Sequence, residues 1–181
     1  MTIPPIGRVL VLTGPPGAGK STVAGLLAQE LRPSVHLRGD DFWHVIKRGS
    51  IPPYLPEANR QNEVVTQVFA EAATGYASGG YQVVADGVVG PWFIDRFRDA
   101  ARARGVQLHY VVLRPDEATT LARATARDPD ALTDPEPVLD LHRRLRDLGT
   151  YEPHALDSTH WDAETTADAI LNGLVSGAYL M

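Results

Sequence analysis

The segment Gly14-Pro-Pro-Gly-Ala-Gly-Lys20-Ser21 fits the pattern G-x-x-x-x-G-K-S/T. Glycines such as Gly14, Gly17 and Gly19 let the chain curl so that successive backbone N–H groups turn inward, where they donate to phosphate oxygens. Pro15, Pro16 and Ala18 complete the loop, and Lys20 is placed to reach the terminal phosphates. Ser21 supplies a hydroxyl suited to magnesium, and Thr22 continues into the helix behind it. The competing explanation is an ordinary glycine turn. Context decides against it, because the pattern lies between a β-branched run, Arg8 to Thr13, and a segment with helical spacing at Val23, Leu26, Leu27 and Leu31.

Carboxylates follow at two later positions. Asp40 and Asp41 stand just past a second short strand pattern, about twenty residues after Lys20. There Asp40 is the candidate base for the proton of an attacking hydroxyl, while Asp41 caps the next helix and borders the acceptor. Asp86 ends the apolar run Tyr81 to Ala85 and is placed either to hold magnesium with Ser21 or to touch the acceptor; the residues leave both open. Turn chemistry alone is the simpler alternative for all three.

Arg123 and Arg127 lie four apart, on one helix face, and lead into 128–137, which holds three prolines and four acids. That suggests a lid over 123–137 whose guanidinium groups neutralise charge on a transferred phosphate. Arg114 is a further candidate; Arg143, Arg144 and Arg146 read as surface. Phe42, Trp43, Tyr54 and Trp92 supply aromatic walls for an organic acceptor, with 40–62 as the acceptor segment. His44 has no second histidine at ligand spacing, which speaks against zinc.

The elements that must position these groups follow from periodicity. Strand patterns at Arg8–Thr13, Val35–Arg38, Tyr81–Ala85, Gln107–Leu113 and Ala155–Ser158 alternate with helical patterns at Phe42–Lys47, Arg60–Ala77, about Ile94–Gly105, from Pro115, from Val138 and around Ala167–Leu174. The alternation predicts a doubly wound α/β domain with a mostly parallel sheet, spanning 1–181 as one unit. In such sheets ligands bind beyond the carboxyl ends of the strands, where the glycine loop, Asp40 and Asp86 all fall.

Composition narrows the partners. The formal net charge is -5, with 22 acidic against 17 basic residues, which disfavours general attraction to nucleic-acid phosphates. With no cysteine, thiolate catalysis and disulfides are excluded. No apolar run approaches the ~20 residues of a membrane span, and the first residues do not read as a signal peptide, so a cytoplasmic protein is expected.

The chain resembles the small P-loop kinases that include chloramphenicol phosphotransferase, gluconate kinase, shikimate kinase and the kinase part of polynucleotide kinases. Gly14 to Ser21 matches their phosphate loop, and Gly39-Asp40-Asp41-Phe42 looks like the segment bearing their catalytic aspartate. Val83 to Asp86 is similar to their third strand, Arg123 to Arg127 falls where they keep lid arginines, and Leu156 to Thr159 looks like their closing strand. The resemblance implies a P-loop NTPase three-layer sandwich with a five-stranded parallel sheet, adenylate-kinase-like. It also implies ATP with magnesium as cofactors and phosphorylation of a small-molecule hydroxyl, an antibiotic or sugar-like alcohol. Ile51 to Asn62 lacks the gluconate kinase pattern, and no shikimate-type arginine constellation is evident. A polynucleotide or nucleotide-sugar kinase, and a nucleotide-binding switch or partner-binding ATPase, are the rival readings.

Overall fold

The computed structural model describes residues 6–126 and 132–181. Five strands, β1 (Arg8–Thr13), β2 (Ser34–Arg38), β3 (Gln82–Asp86), β4 (Gln107–Leu113) and β5 (Ala155–Leu156), form one sheet in the order β2-β3-β1-β4-β5. All its strand pairings are parallel. The helices are α1 (Lys20–Glu30), α2 (Gly39–His44), α3 (Asn59–Ser78), α4 (Ile94–Arg104), α5 (Glu117–Thr125), α6 (Pro135–Arg144) and α7 (Ala163–Ser176).

The unbroken apolar runs are explained by burial on both faces of the sheet. Leu10 and Leu12 of β1 pack with Val23, Ala24 and Leu27 of α1 and Ile170 of α7. On the opposite face, Val9 and Val11 join Phe69 and Ala73 of α3 and Ile94 and Phe97 of α4. The Phe69 and Phe97 rings meet edge to face, 5.3 Å between centroids. Because β5 pairs only with Val112 and Leu113, the rest of that edge of β4 would be bare. It is taken by the chain end: Tyr110 N–H donates to the Tyr179 carbonyl and Met181 N–H to the Leu108 carbonyl.

The helices after β1 and β3, which are neighbours in the sheet, leave on opposite faces. Their strand ends therefore part and open a crevice, the place where open parallel sheets bind ligands. The glycine loop follows β1 there and Asp86 closes β3, with Leu12 and Asp86 paired in register.

Several boundaries differ from expectation. The helix expected at Phe42–Lys47 begins at Gly39 and ends at His44, so Asp41 lies in its first turn and Arg38 takes the N-cap position. The helix expected from Pro115 starts at Glu117, because Asp116 caps it by accepting from the Thr119 N–H. Residues 135–137, expected in a lid, are the first turn of α6, capped by Asp134. Residues 127–131 of the expected lid, Arg127 among them, lie outside the described residues. Among the described residues no helix is long and apolar enough to cross a membrane.

Candidate active site

The loop from Gly14 to Ala18 is buried, and Gly14 and Gly17 are drawn tightly against their surroundings. Gly17 adopts φ +86°, and a Cβ there would stand 2.3 Å from the Thr120 carbonyl oxygen and 2.8 Å from the Ala124 nitrogen of α5. Only glycine meets both demands. Gly19, at φ +87°, precedes α1, whose N-terminus carries no side-chain cap. First-turn N–H groups of a helix lack intrahelical acceptors, so a phosphate can supply what a cap would otherwise supply. The Lys20 Nζ donates to the Pro15 carbonyl at 2.9 Å, arching the side chain over the loop. Gly17, Gly19, Lys20, Ser21, Thr22 and Arg123 enclose a cavity of about 250 Å³. Arg123 reaches it from α5 while its guanidinium lies 3.5 Å from the Thr159 carbonyl.

Asp86 is buried at the end of β3. The Ser21 hydroxyl donates to one of its oxygens at 2.6 Å and His36 Nε2 to the other at 2.8 Å. Burial by itself would raise this carboxyl; the hydrogen bonds from His36 and Ser21, with the electrostatic pull of His36 and Lys20, outweigh it and hold the group below its ordinary range. His36 is a site residue that sequence reasoning missed. It lies on β2, two residues from Arg38, which is Asp86's register partner, so its side chain falls diagonally opposite the carboxylate. A histidine inside a strand pattern was the only available signal.

Beyond Ser21 and Lys20 opens a larger cleft of about 920 Å³. Asp40, exposed at the start of α2, stands on its wall, with Trp43, Tyr54 and Trp92. Gly39 makes this possible, because a Cβ there would approach the Asp86 carbonyl oxygen to 3.0 Å and Phe69 to 3.3 Å. The acceptor segment is fastened by two amides of α3. Gln61 bonds both backbone groups of Ile51, while Asn62 donates to the Pro53 carbonyl and accepts from the Trp43 indole. Neither amide carries a sequence signal.

Three expectations need correction. Phe42 does not border the cleft; its ring packs 4.8 Å from Phe69 against the core. Asp41, exposed, is not on the cleft wall either, since one position along a helix turns the side chain by about 100°. Arg144, read as surface, is exposed but also lines the cleft, with its guanidinium carbon 4.2 Å from the centre of the Trp92 ring. Arg114 is held elsewhere, bonded to Glu152 and the Arg146 carbonyl. His142, buried, is bound to the Pro115 carbonyl.

Among the described residues no cluster of three or more His, Cys, Asp or Glu side chains is suited to a metal. The hydroxyl of Ser21 and the carboxylate of Asp86 are nevertheless hard oxygen donors side by side. That set fits magnesium held by one or two protein groups and completed by water and substrate phosphates.

Loop, sheet order and crevice together define the P-loop kinase fold. The chain belongs to the AAA domain family, which matches residues 9–148. No curated protein sequence matches the chain. Among solved structures, a sugar kinase from Janibacter sp. is similar, with 20% identity over 93% of this chain and 94% of that one and a TM-score of 0.71. A gluconokinase from Sinorhizobium meliloti 1021 has 21% identity over 96% and 94%, TM-score 0.71. The Mycobacterium tuberculosis APS kinase, solved with AMPPNP and APS, has 19% identity over 94% and 99%, TM-score 0.72. At these identities the likeness is one of fold.

Proposed function

We propose that the protein transfers the γ-phosphoryl group of ATP to a hydroxyl of a small molecule, with Asp40 as the base. The observation that carries this reading is that Lys20 and Ser21 line both cavities. A triphosphate seated on the loop would present its terminal phosphate where the two cavities meet. Asp40 borders the larger one, on the acceptor's side.

The hydroxyl oxygen attacks the γ-phosphorus as the bond to the β–γ bridging oxygen breaks, and ADP leaves. The hydroxyl proton passes to Asp40. Lys20, the loop N–H groups and Arg123 hold the phosphates through this exchange of partners. Magnesium, when bound beside Ser21 and Asp86, neutralises charge on the phosphate oxygens. His36 keeps Asp86 ionised and oriented. Trp43, Tyr54 and Trp92 give the acceptor apolar walls. The reading places the protein where ATP is supplied, in the cytoplasm, with a small alcohol rather than nucleic acid as its partner.

The test is an ADP-release assay across sugars, antibiotics, nucleosides and 5′-hydroxyl oligonucleotides, with Lys20→Ala as control. An acceptor that raises turnover far above background is expected. Asp40→Asn should then lower transfer by about 10²–10⁴-fold and leave ATP binding intact. ATP hydrolysis indifferent to every acceptor would sink the reading and favour a nucleotide switch.

A further inference from the structure

The larger cleft carries more positive charge than phosphoryl transfer from the loop requires. Arg38 enters it from the end of β2, Arg96 from the first turn of α4 and Arg144 from the last turn of α6. Three separate elements thus bring an arginine to the wall of one space, and the Arg144 guanidinium lies over the Trp92 ring there. Among the described residues none of the three has an ion-pair partner; the pairs formed by arginines involve Arg60, Arg98, Arg114 and Arg146.

Their position relative to the nucleotide site gives them a purpose. The cavity on the loop side has its own arginine, Arg123, and shares only Lys20 and Ser21 with the larger cleft. Arg38, Arg96 and Arg144 all lie on the acceptor's side of that junction. Carboxylates on the same walls offset them only in part. Asp86 is held by Ser21 and His36, and Glu63 faces Arg60 at 3.3 Å. Asp140 and Asp40 are the remaining two, and Asp40 has the proton-accepting task. The stacking of Arg144 on Trp92 holds that guanidinium over an apolar wall, which reduces the freedom it loses on engaging an oxyanion.

We infer that the acceptor is a hydroxylated compound that also bears an anionic group, a carboxylate or a phosphate or sulfate ester, recognised by Arg38, Arg96 and Arg144. This deepens the phosphotransfer reading and rests on it. A planar guanidinium fork matches either oxyanion with paired hydrogen bonds, while Trp92 and Trp43 cover the acceptor's carbon skeleton.

The experiment titrates the protein, saturated with a non-hydrolysable ATP analogue, with matched probes: glucose, gluconate and glucose 6-phosphate, and adenosine against adenosine 5′-monophosphate. Fluorescence of Trp43 and Trp92 reports occupancy. At least one anionic probe should bind about tenfold tighter than its neutral counterpart or more, and gluconate against the phosphate esters tells carboxylate from phosphate recognition. Arg96→Gln and Arg144→Gln should each erase the preference without changing affinity for the ATP analogue. Equal binding of neutral and anionic probes, no binding of any anionic probe at millimolar concentration, or a preference that survives in both variants would overturn the inference. ADP release is measured in parallel. Transfer to neutral alcohols without anion preference defeats this inference and leaves the kinase reading standing. Anion preference without any transfer defeats the kinase reading, and this inference with it.

Discussion

Ser21 and Asp86, 65 residues apart in the chain, meet at 2.6 Å across the crevice between β1 and β3. The contact links the phosphate loop to the neighbouring strand. Two hard oxygen donors are thus brought together where a cation could be held, and His36 fixes the orientation of one of them. Asp86→Asn keeps the shape and removes the charge. The expected result is a rise of about 10–100-fold in the magnesium concentration giving half-maximal activity. An unchanged magnesium dependence would show that Asp86 serves another purpose.

Phe42 and Trp43 are neighbours with opposite assignments, and this can be measured. Phe42 packs on Phe69, so Phe42→Ala should cost about 3 kcal/mol of stability in urea unfolding. In the protein that remains folded, the acceptor KM should be close to the original. Trp43 lines the cleft and donates to Asn62, so Trp43→Phe should raise the acceptor KM while losing less stability than Phe42→Ala. The reverse pattern would return Phe42 to the acceptor site.

The phosphate loop was legible in the sequence because it is local: its glycines, lysine and serine act within eight residues, flanked by strand and helix patterns. The strands were legible for a similar reason, since burial on both faces leaves continuous apolar runs. What escaped depends on contacts between distant segments. His36 became a partner of Asp86 only through the register of β2 on β3. Arg144 has the sequence context of a solvated arginine, and nothing local shows that α6 brings it over Trp92. Asp41 was misjudged through a shift of a few residues in the start of α2. Such a shift rotates every side chain of a helix around its axis.

Gly17 couples the loop to α5, the helix bearing Arg123. In Gly17→Ala, the new Cβ would collide with the Thr120 carbonyl and the residue would sit at φ +86°. Strain of that kind costs about 1–3 kcal/mol. If the loop relieves it by shifting, ATP affinity should fall by about tenfold or more, with a smaller loss of global stability. Calorimetric titration of the ATP analogue alongside thermal unfolding separates the two. Unaltered ATP affinity would mean that the loop tolerates displacement from α5.

His109 offers a pH test independent of any ligand. It is buried in β4, neither ring nitrogen has a hydrogen-bond partner, and burial, reinforced by the charge of Arg8, lowers its pKa from 6.5 to about 4. Above pH 6.5 it is neutral both folded and unfolded and stability does not depend on it. As the pH falls from 6.5 towards 4, the unfolded chain takes up a proton that the folded chain refuses, so stability falls. Below about pH 4 both states are protonated and the loss levels off, at an order of magnitude of 1–3 kcal/mol. His109→Leu removes the titrating group, and its urea-unfolding free energy should decline less between pH 6.5 and 5 than that of the original protein. The comparison is made in that interval because carboxylates begin to titrate below it. Parallel curves for the two proteins would show that His109 is solvated or paired when folded, and that its burial does not exclude the proton.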